Sequence, residues 1–301
     1  MTGTAHEMEA FGRALRVSSL DKLLWPAAGF TKRDLLAYYR AVAPALLPHV
    51  AGRPVTLARF PDGVEGRGWY QTNCPPGSPG WLRIARVAAS RGGEDLRYCV
   101  LDEPAALLWA ANTGALELHP LLALADRPAA PLGLVFDLDP GVPAGLLECC
   151  AVALALRERL DALGLGAVVK TSGAKGLHVL VPLDGTATFD RTKAFAREVA
   201  GALAQSSPRL VTDRMARAGR PGKVFIDWGQ NDPNKSTIAP YSLRATRLPG
   251  VSMPLLWTEV EEATETADAS RLRFGPADVL PRLLRHGDLA AAERRQSLAI
   301  P

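Results

Sequence analysis

The chain has 301 residues, 48% of them hydrophobic and 22% charged, with a formal net charge of +4. That hydrophobic share excludes a mainly disordered chain, and the length suffices for a substantial buried core. A mildly basic balance is compatible with nucleic acid but is shared by many enzymes, and no apolar run reaches the roughly 20 residues of a membrane span.

In chain order, Met1 to Phe11 lacks the basic start and apolar stretch of a signal peptide, which points to a cytoplasmic protein with no membrane partner. Thr31 caps a predicted helix over 32–48, with Asp34 in its first turn. Strands are predicted at 55–60 and 69–72. In the second, Trp69 and Tyr70 are neighbours and face opposite ways, so one can enter the core while the other offers a π-face to a base. Pro104 opens a helix over 105–112, closed by Gly114. Further helices are predicted over 143–163, stopped by Gly164, over 188–205, and over 276–296, broken by Pro281 and Gly287. Strands are predicted at 134–139, 167–171, 177–183, 224–228 and 238–242. Cys74, Cys99, Cys149 and Cys150 form no C-x-x-C pair, which argues against zinc; adjacent Cys149 and Cys150 read as small core residues of a reduced protein. No repeat or low-complexity linker divides the chain. The expectation is one α/β domain over 1–301, with an N-terminal αβ lobe at 1–130 and a catalytic lobe at 131–301.

Three segments carry the chemistry. In Leu134-Val135-Phe136-Asp137-Leu138-Asp139-Pro140 the apolar residues read as a buried strand that Pro140 ends. Asp137 and Asp139 then leave on one side, where two like charges repel unless a hard cation such as Mg²⁺ or Mn²⁺ joins them. The alternative is a strand running into solvent through an ordinary turn at Pro140-Gly141. Val224-Phe225-Ile226-Asp227-Trp228 is a second apolar strand with a carboxylate near its end, and a third acid would suit a two-ion phosphoryl or nucleotidyl transfer site. Between them, Lys170-Thr171-Ser172-Gly173-Ala174-Lys175-Gly176-Leu177-His178 reads as strand, glycine turn and strand. Ser172, Lys175, His178 and the turn's N–H groups suit a polyphosphate. The spacing is not that of a Walker A loop.

The motifs FDLDP, TSGAKGLHV, KVFIDWGQN and APYSLR, with LDKLLWP, GRPVT and GWYQ upstream, resemble the polymerase domain of bacterial ATP-dependent ligase D and its stand-alone relatives, members of the archaeo-eukaryotic primase superfamily. The resemblance runs from about residue 17 to about residue 290. It implies a two-lobed, primase-like fold with the active site between two β-sheets. It also implies Asp137, Asp139 and Asp227 as ligands of two Mn²⁺ or Mg²⁺ ions. Ser172, Lys175 and His178 match the phosphate-holding motif, and His119, Gln230 and Arg244 match nucleotide-contacting positions. Trp69, Tyr70 and Arg59 match the template-contacting region, and Lys22 and Lys32 match lysines that grip a downstream 5′-phosphate. The chain departs from the family pattern at Ser19 (usually Asn), at Thr72 (usually Lys), and at Pro120 to Leu124 after His119.

The implied function is template-dependent addition of nucleotides, ribonucleotides by preference, at short gaps or broken ends in DNA repair. The implied partners are nucleoside triphosphates, gapped or broken DNA carrying a 5′-phosphate, and a separate ligase or Ku-like protein at the bacterial nucleoid. Three carboxylates alone would also permit a metal-dependent nuclease, and the basic charge would permit a non-catalytic nucleic-acid module.

Overall fold

In the computed structural model the described residues are 6–89 and 92–298, and they form two compact units. The first unit comprises Met1–Leu121, Ser236–Val251 and Gly275–Arg285; the second comprises Leu122–Lys235, Ser252–Phe274 and His286–Pro301. Neither unit is one continuous stretch of chain, because two later segments return to the first.

The first unit is built on strand Pro54–Arg59, which pairs antiparallel with Trp69–Gln71, Leu96–Val100 and Ala115–Pro120; Ile84–Val87 extends the sheet beyond Leu96–Val100. Helix Lys32–Val50 begins as expected. Thr31 Oγ1 accepts from the Asp34 N–H at 3.3 Å while Asp34 Oδ2 accepts from the Thr31 N–H at 2.8 Å, so two orphan donors of the first turn are satisfied. Large aromatic residues fill the core, and each polar tip finds a carbonyl. Tyr38 donates to Tyr241 O at 2.6 Å, Tyr39 to Leu116 O at 2.7 Å, and Trp25 Nε1 to Thr246 O at 2.9 Å.

The second unit carries a six-stranded sheet in the order Val211–Thr212, Val224–Asp227, Gly133–Pro140, Leu177–Pro182, Val168–Thr171, Pro254–Leu255. Alternation assigns its two faces. Leu134, Phe136 and Leu138 join Val169, Leu177, Val179, Val181, Val224 and Ile226 in one core with residues of helices Leu146–Asp161 and Phe189–Ser206. The intervening residues therefore occupy the other face. Cys149 and Cys150 are wholly buried in that core, as expected.

Several expectations need correction. The helix predicted over 143–163 starts at Leu146, because Ala144 closes a turn onto Gly141 O and Glu148 Oε2 accepts from the Gly145 N–H at 2.6 Å. The one predicted over 276–296 runs through Pro281 but ends at His286, where Gly287 takes a φ of 68°. No strand forms at 238–242. The Thr237 and Ala239 N–H groups donate to Pro120 and Leu118 carbonyls, but Pro240 lacks a donor and Tyr241 has a φ of 63°, so no ladder continues; the strand here is Leu243–Ala245. Cys74 and Cys99 form a disulfide with Cα atoms 5.1 Å apart, against the reading of a reduced protein. Their partnership was invisible because 25 residues and a strand pairing separate them. Among the described residues no helix is long and apolar enough to cross a membrane.

Asn231, wholly buried, donates to Val135 O at 2.7 Å and Trp228 O at 3.0 Å, and accepts from the Val135 N–H at 2.9 Å. Asn231→Ala strands the buried N–H and C=O of Val135, while Trp228 O keeps the Asn231 N–H, so urea denaturation should show a loss of about 2–4 kcal/mol. A loss below about 1 kcal/mol would mean that water replaces the amide.

Candidate active site

Register places the key side chains of the second unit in a single row. Lys170 lies opposite His178, His178 opposite Asp137, and Asp137 opposite Asp227, so four neighbouring strands contribute one charged residue each to the same face. Asp139, two residues beyond Asp137, shares that face. Like charges directly across an antiparallel pair are unfavourable, and an imidazole and a lysine lie beside them. His178 Nε2 lies 3.4 Å from Asp137 Oδ1, and Lys175 Nζ lies 3.7 Å from Asp139 Oδ1. Asp227 sits where its strand bends into a short 3-10 turn. Its Oδ1 accepts from the Gly229 N–H at 2.9 Å and its Oδ2 from Gln230 Nε2 at 3.4 Å. Burial pushes the Asp227 carboxyl above the usual range and the nearby Asp139 charge adds to this; the Gly229 N–H, Lys235 and Arg220 oppose the shift without cancelling it.

Lys170, which sequence marks only as a strand residue, is 1% exposed and donates to Ser252 Oγ at 2.6 Å. The signal that could have found it was its alternation with Val169 and Thr171 opposite His178. Ser252 passes its own proton to Thr171 O at 2.9 Å, which fixes the strand end where the glycine turn begins.

The turn is held from inside. Ser172 Oγ accepts from the Ala174 N–H at 3.3 Å and the Gly176 N–H at 3.2 Å, and the Ser172 N–H donates to Gly176 O at 2.9 Å. Gly173 takes a φ of 73°, and a Cβ on Gly176 would collide with the Leu138 carbonyl oxygen. Ser172 therefore shapes the turn, whereas Lys175 stands largely exposed at its tip.

The three acids suit a hard divalent cation by donor type and by strand position. As they stand their oxygens turn to His178, Lys175, Gly229 and Gln230, and among the described residues no three His, Cys, Asp or Glu side chains are gathered into a metal centre.

The other expected residues lie in the first unit. His119 and Glu117, on strand Ala115–Pro120, are both buried, with His119 Nε2 2.7 Å from Glu117 Oε2; Arg244 Nη1 lies 3.4 Å from the same oxygen. Tyr70 packs edge-on against the His119 ring at 5.3 Å. Trp69 and Tyr70 do face opposite ways, but neither enters the core: they are 41% and 62% exposed. Arg59 lies over the Trp69 ring at 5.3 Å, and its guanidinium donates to Thr113 O and to Gln71 Oε1, which also accepts from Trp69 Nε1 at 3.2 Å. Arg59 is thus a prop for the indole. After His119, residues Leu121, Leu122 and Ala123 are buried.

Lys22 Nζ donates to Asp62 Oδ1 at 2.6 Å and Lys32 Nζ to Ser18 O at 2.9 Å. Burial, together with the Lys22 charge, lowers the Lys32 ammonium to about 8. Ser19 holds a φ of 54°, a left-handed conformation that asparagine adopts more readily than serine, which accounts for the family's usual residue there by backbone geometry.

The family described as LigD, primase-polymerase domain, matches residues 31–290. Multifunctional non-homologous end joining protein LigD of Mycobacterium bovis is 38% identical over 281 residues, covering 91% of this chain and 36% of the relative. Bifunctional non-homologous end joining protein LigD of Bacillus subtilis is 31% identical over 255 residues, covering 84% of this chain and 40% of the relative. The chain thus spans 36–40% of the length of these two proteins. The polymerase domain from Mycobacterium tuberculosis ligase D, solved in complex with DNA, superposes with a TM-score of 0.84 at 38% identity, over 91% of this chain and 96% of that one. By sequence along most of its length and by fold, the chain belongs to the LigD primase-polymerase domain family of nucleotidyltransferases.

Proposed function

We propose that this chain is a template-dependent, primase-type polymerase that adds nucleotides, ribonucleotides by preference, to primer ends at short gaps or breaks in DNA. The observation that carries the reading is the row Lys170, His178, Asp137, Asp227, with Asp139 on the same face and the Ser172–Gly176 turn at the end of the adjoining strand. A nuclease needs acids but no such turn. A binding module needs neither.

Asp137, Asp139 and Asp227 would hold two divalent ions, Mg²⁺ or Mn²⁺, which when bound supply activation of a 3′ hydroxyl and neutralisation of a departing pyrophosphate. The chain's own groups do the rest. Lys175 and His178 give charge and hydrogen bonds to phosphate oxygens, and Ser172 keeps the turn in the shape that presents them. His119, Gln230 and Arg244 contact the nucleotide. Trp69 and Tyr70 offer ring faces to template bases, a contact worth roughly 1–3 kcal/mol per base. Lys22 and Lys32, beside the partly positive start of helix Lys32–Val50, receive the downstream 5′-phosphate with their ammonium groups. Relatives are named for non-homologous end joining, and the same setting, at the nucleoid with a separate ligase or Ku-like partner, is proposed here.

With labelled primer–template, Mn²⁺ and nucleotides, the protein should lengthen the primer; shortening would reveal a nuclease, and retention alone a binding module. Asp137→Ala and Asp139→Ala should each lower extension by roughly 10³-fold, the equivalent of several kcal/mol of charge stabilisation. Because each change removes one of several clustered like charges, the melting temperature in metal-free buffer should stay level or rise. Near-normal extension, or simple unfolding, would overturn the assignment.

Wild type should bind a gapped duplex with a 5′-phosphate several-fold more tightly than one ending in hydroxyl, at one fixed salt concentration. Lys32 is charged below about 8 and loses its proton above it, so that preference should fade as pH is raised from 7 to 9. Lys22→Ala/Lys32→Ala should abolish it while open primer–template is still extended. Equal binding of both ends by wild type would remove the anchoring role.

A further inference from the structure

We propose that Glu117 is a positioning residue that sets His119 and Arg244 for nucleotide binding. The inference rests on the proposed assignment of those two residues as nucleotide contacts, and it adds a group that neither the motifs nor the family resemblance singled out.

Glu117 is 4% exposed on a strand whose six residues are all buried. A lone carboxylate there would be costly, and replacing a buried ion pair with apolar side chains is often harmless to stability, so packing alone gives little reason for an acid. The carboxylate is instead fully engaged. Its Oε2 meets His119 Nε2 at 2.7 Å and Arg244 Nη1 at 3.4 Å, and its Oε1 accepts the Ala245 N–H at 2.8 Å. One anion thus ties together a sheet residue, the strand Leu243–Ala245 and both residues assigned to the nucleotide. Burial pushes its acidity down, yet the His119 hydrogen bond, the Arg244 and His119 charges and the Ala245 N–H outweigh it and hold the pKa below the usual carboxylate range.

An ionised carboxylate can only accept, so His119 Nε2 must carry the proton it donates, and the ring is fixed in that protonation pattern and orientation. Tyr70, edge-on to the same ring, limits its tilt. Arg244 keeps 25% of its side chain exposed, so one end of the guanidinium is anchored while part of it reaches solvent. Preset orientation of this kind lowers the ordering cost of binding and so appears in affinity for the nucleotide.

The test is steady-state primer extension with His119→Ala, Arg244→Ala, Glu117→Gln and Glu117→Asp proteins, alongside melting temperatures and DNA affinity. Glu117→Gln keeps an acceptor for the Ala245 N–H. It should raise the KM for nucleotide about tenfold, change kcat less than twofold, and leave DNA affinity and melting temperature near wild type. Glu117→Asp, which restores the charge at shorter reach, should recover part of the KM, and it decides the matter should the Gln variant fail to fold. Glu117→Gln added to the His119→Ala/Arg244→Ala double variant should raise KM no further. A KM unchanged by Glu117→Gln, while His119→Ala and Arg244→Ala raise it, would overturn the positioning role alone. Additive effects with a falling melting temperature would also overturn it, as a merely structural contact. If His119→Ala and Arg244→Ala leave KM unchanged, the nucleotide assignment itself fails.

Discussion

The arrangement turns on one unfavourable contact. Asp137 and Asp227 stand directly opposite each other on neighbouring antiparallel strands, where a pair of like charges weakens a sheet. Such a pair persists only if the sheet is stabilised elsewhere and if hydrogen-bonding or cationic side chains are at hand. Both conditions hold. The reverse face of the same strands is an unbroken apolar surface packed under two helices. On the acidic face, His178 and Lys175 approach the carboxylates from the adjoining strand and turn. The opposite characters of the two faces follow from the alternation of a few short strands, so each leucine or valine facing the helices fixes where its acidic neighbour must point.

The first unit uses different physics. Its exposed aromatic residues are held by flat, hydrogen-bonded neighbours: Arg59 and Gln71 fix the Trp69 ring, and the His119 ring braces Tyr70. An exposed indole whose N–H and one face are already engaged loses little freedom when something stacks on it. Charge here is held in a buried cluster, with Glu117 between His119 and Arg244, whereas in the second unit the charged groups are ranged in a row along one sheet face.

How much the sequence disclosed depended on whether a signal was local. The Thr31–Asp34 cap, the shared face of the i, i+2 acids and the glycine turn are each decided within a few residues, and the structure shows that local geometry. What escaped was decided across the chain. Ala115–Pro120 alternates Leu116-Glu117-Leu118-His119, the pattern of a half-exposed strand, yet it is buried at every position, so Glu117 looks in sequence like a surface acid. The segment at 238–242 has strand composition, yet the left-handed Tyr241 and donorless Pro240 end its pairing. Lys170 has the composition of a surface residue and is buried by a serine 82 positions away. Cys74 and Cys99 meet only because the loop after Trp69–Gln71 runs back along strand Leu96–Val100, where the Cys74 N–H donates to Arg97 O.

Asn231 has a consequence beyond the stability of its own three hydrogen bonds. Val224–Asp227 stops pairing with the central strand at Asp137, because the chain bends into the turn that presents Asp227. Two residues further along, Val135 would be left with its N–H and C=O buried and unpaired, which costs about as much as lost hydrogen bonds. The Asn231 amide offers one acceptor and one donor in the places where a strand would have offered them. A side chain thus stands in for the missing stretch of backbone. The polypeptide can leave the sheet early enough to turn at Asp227 without leaving a buried backbone rung unsatisfied.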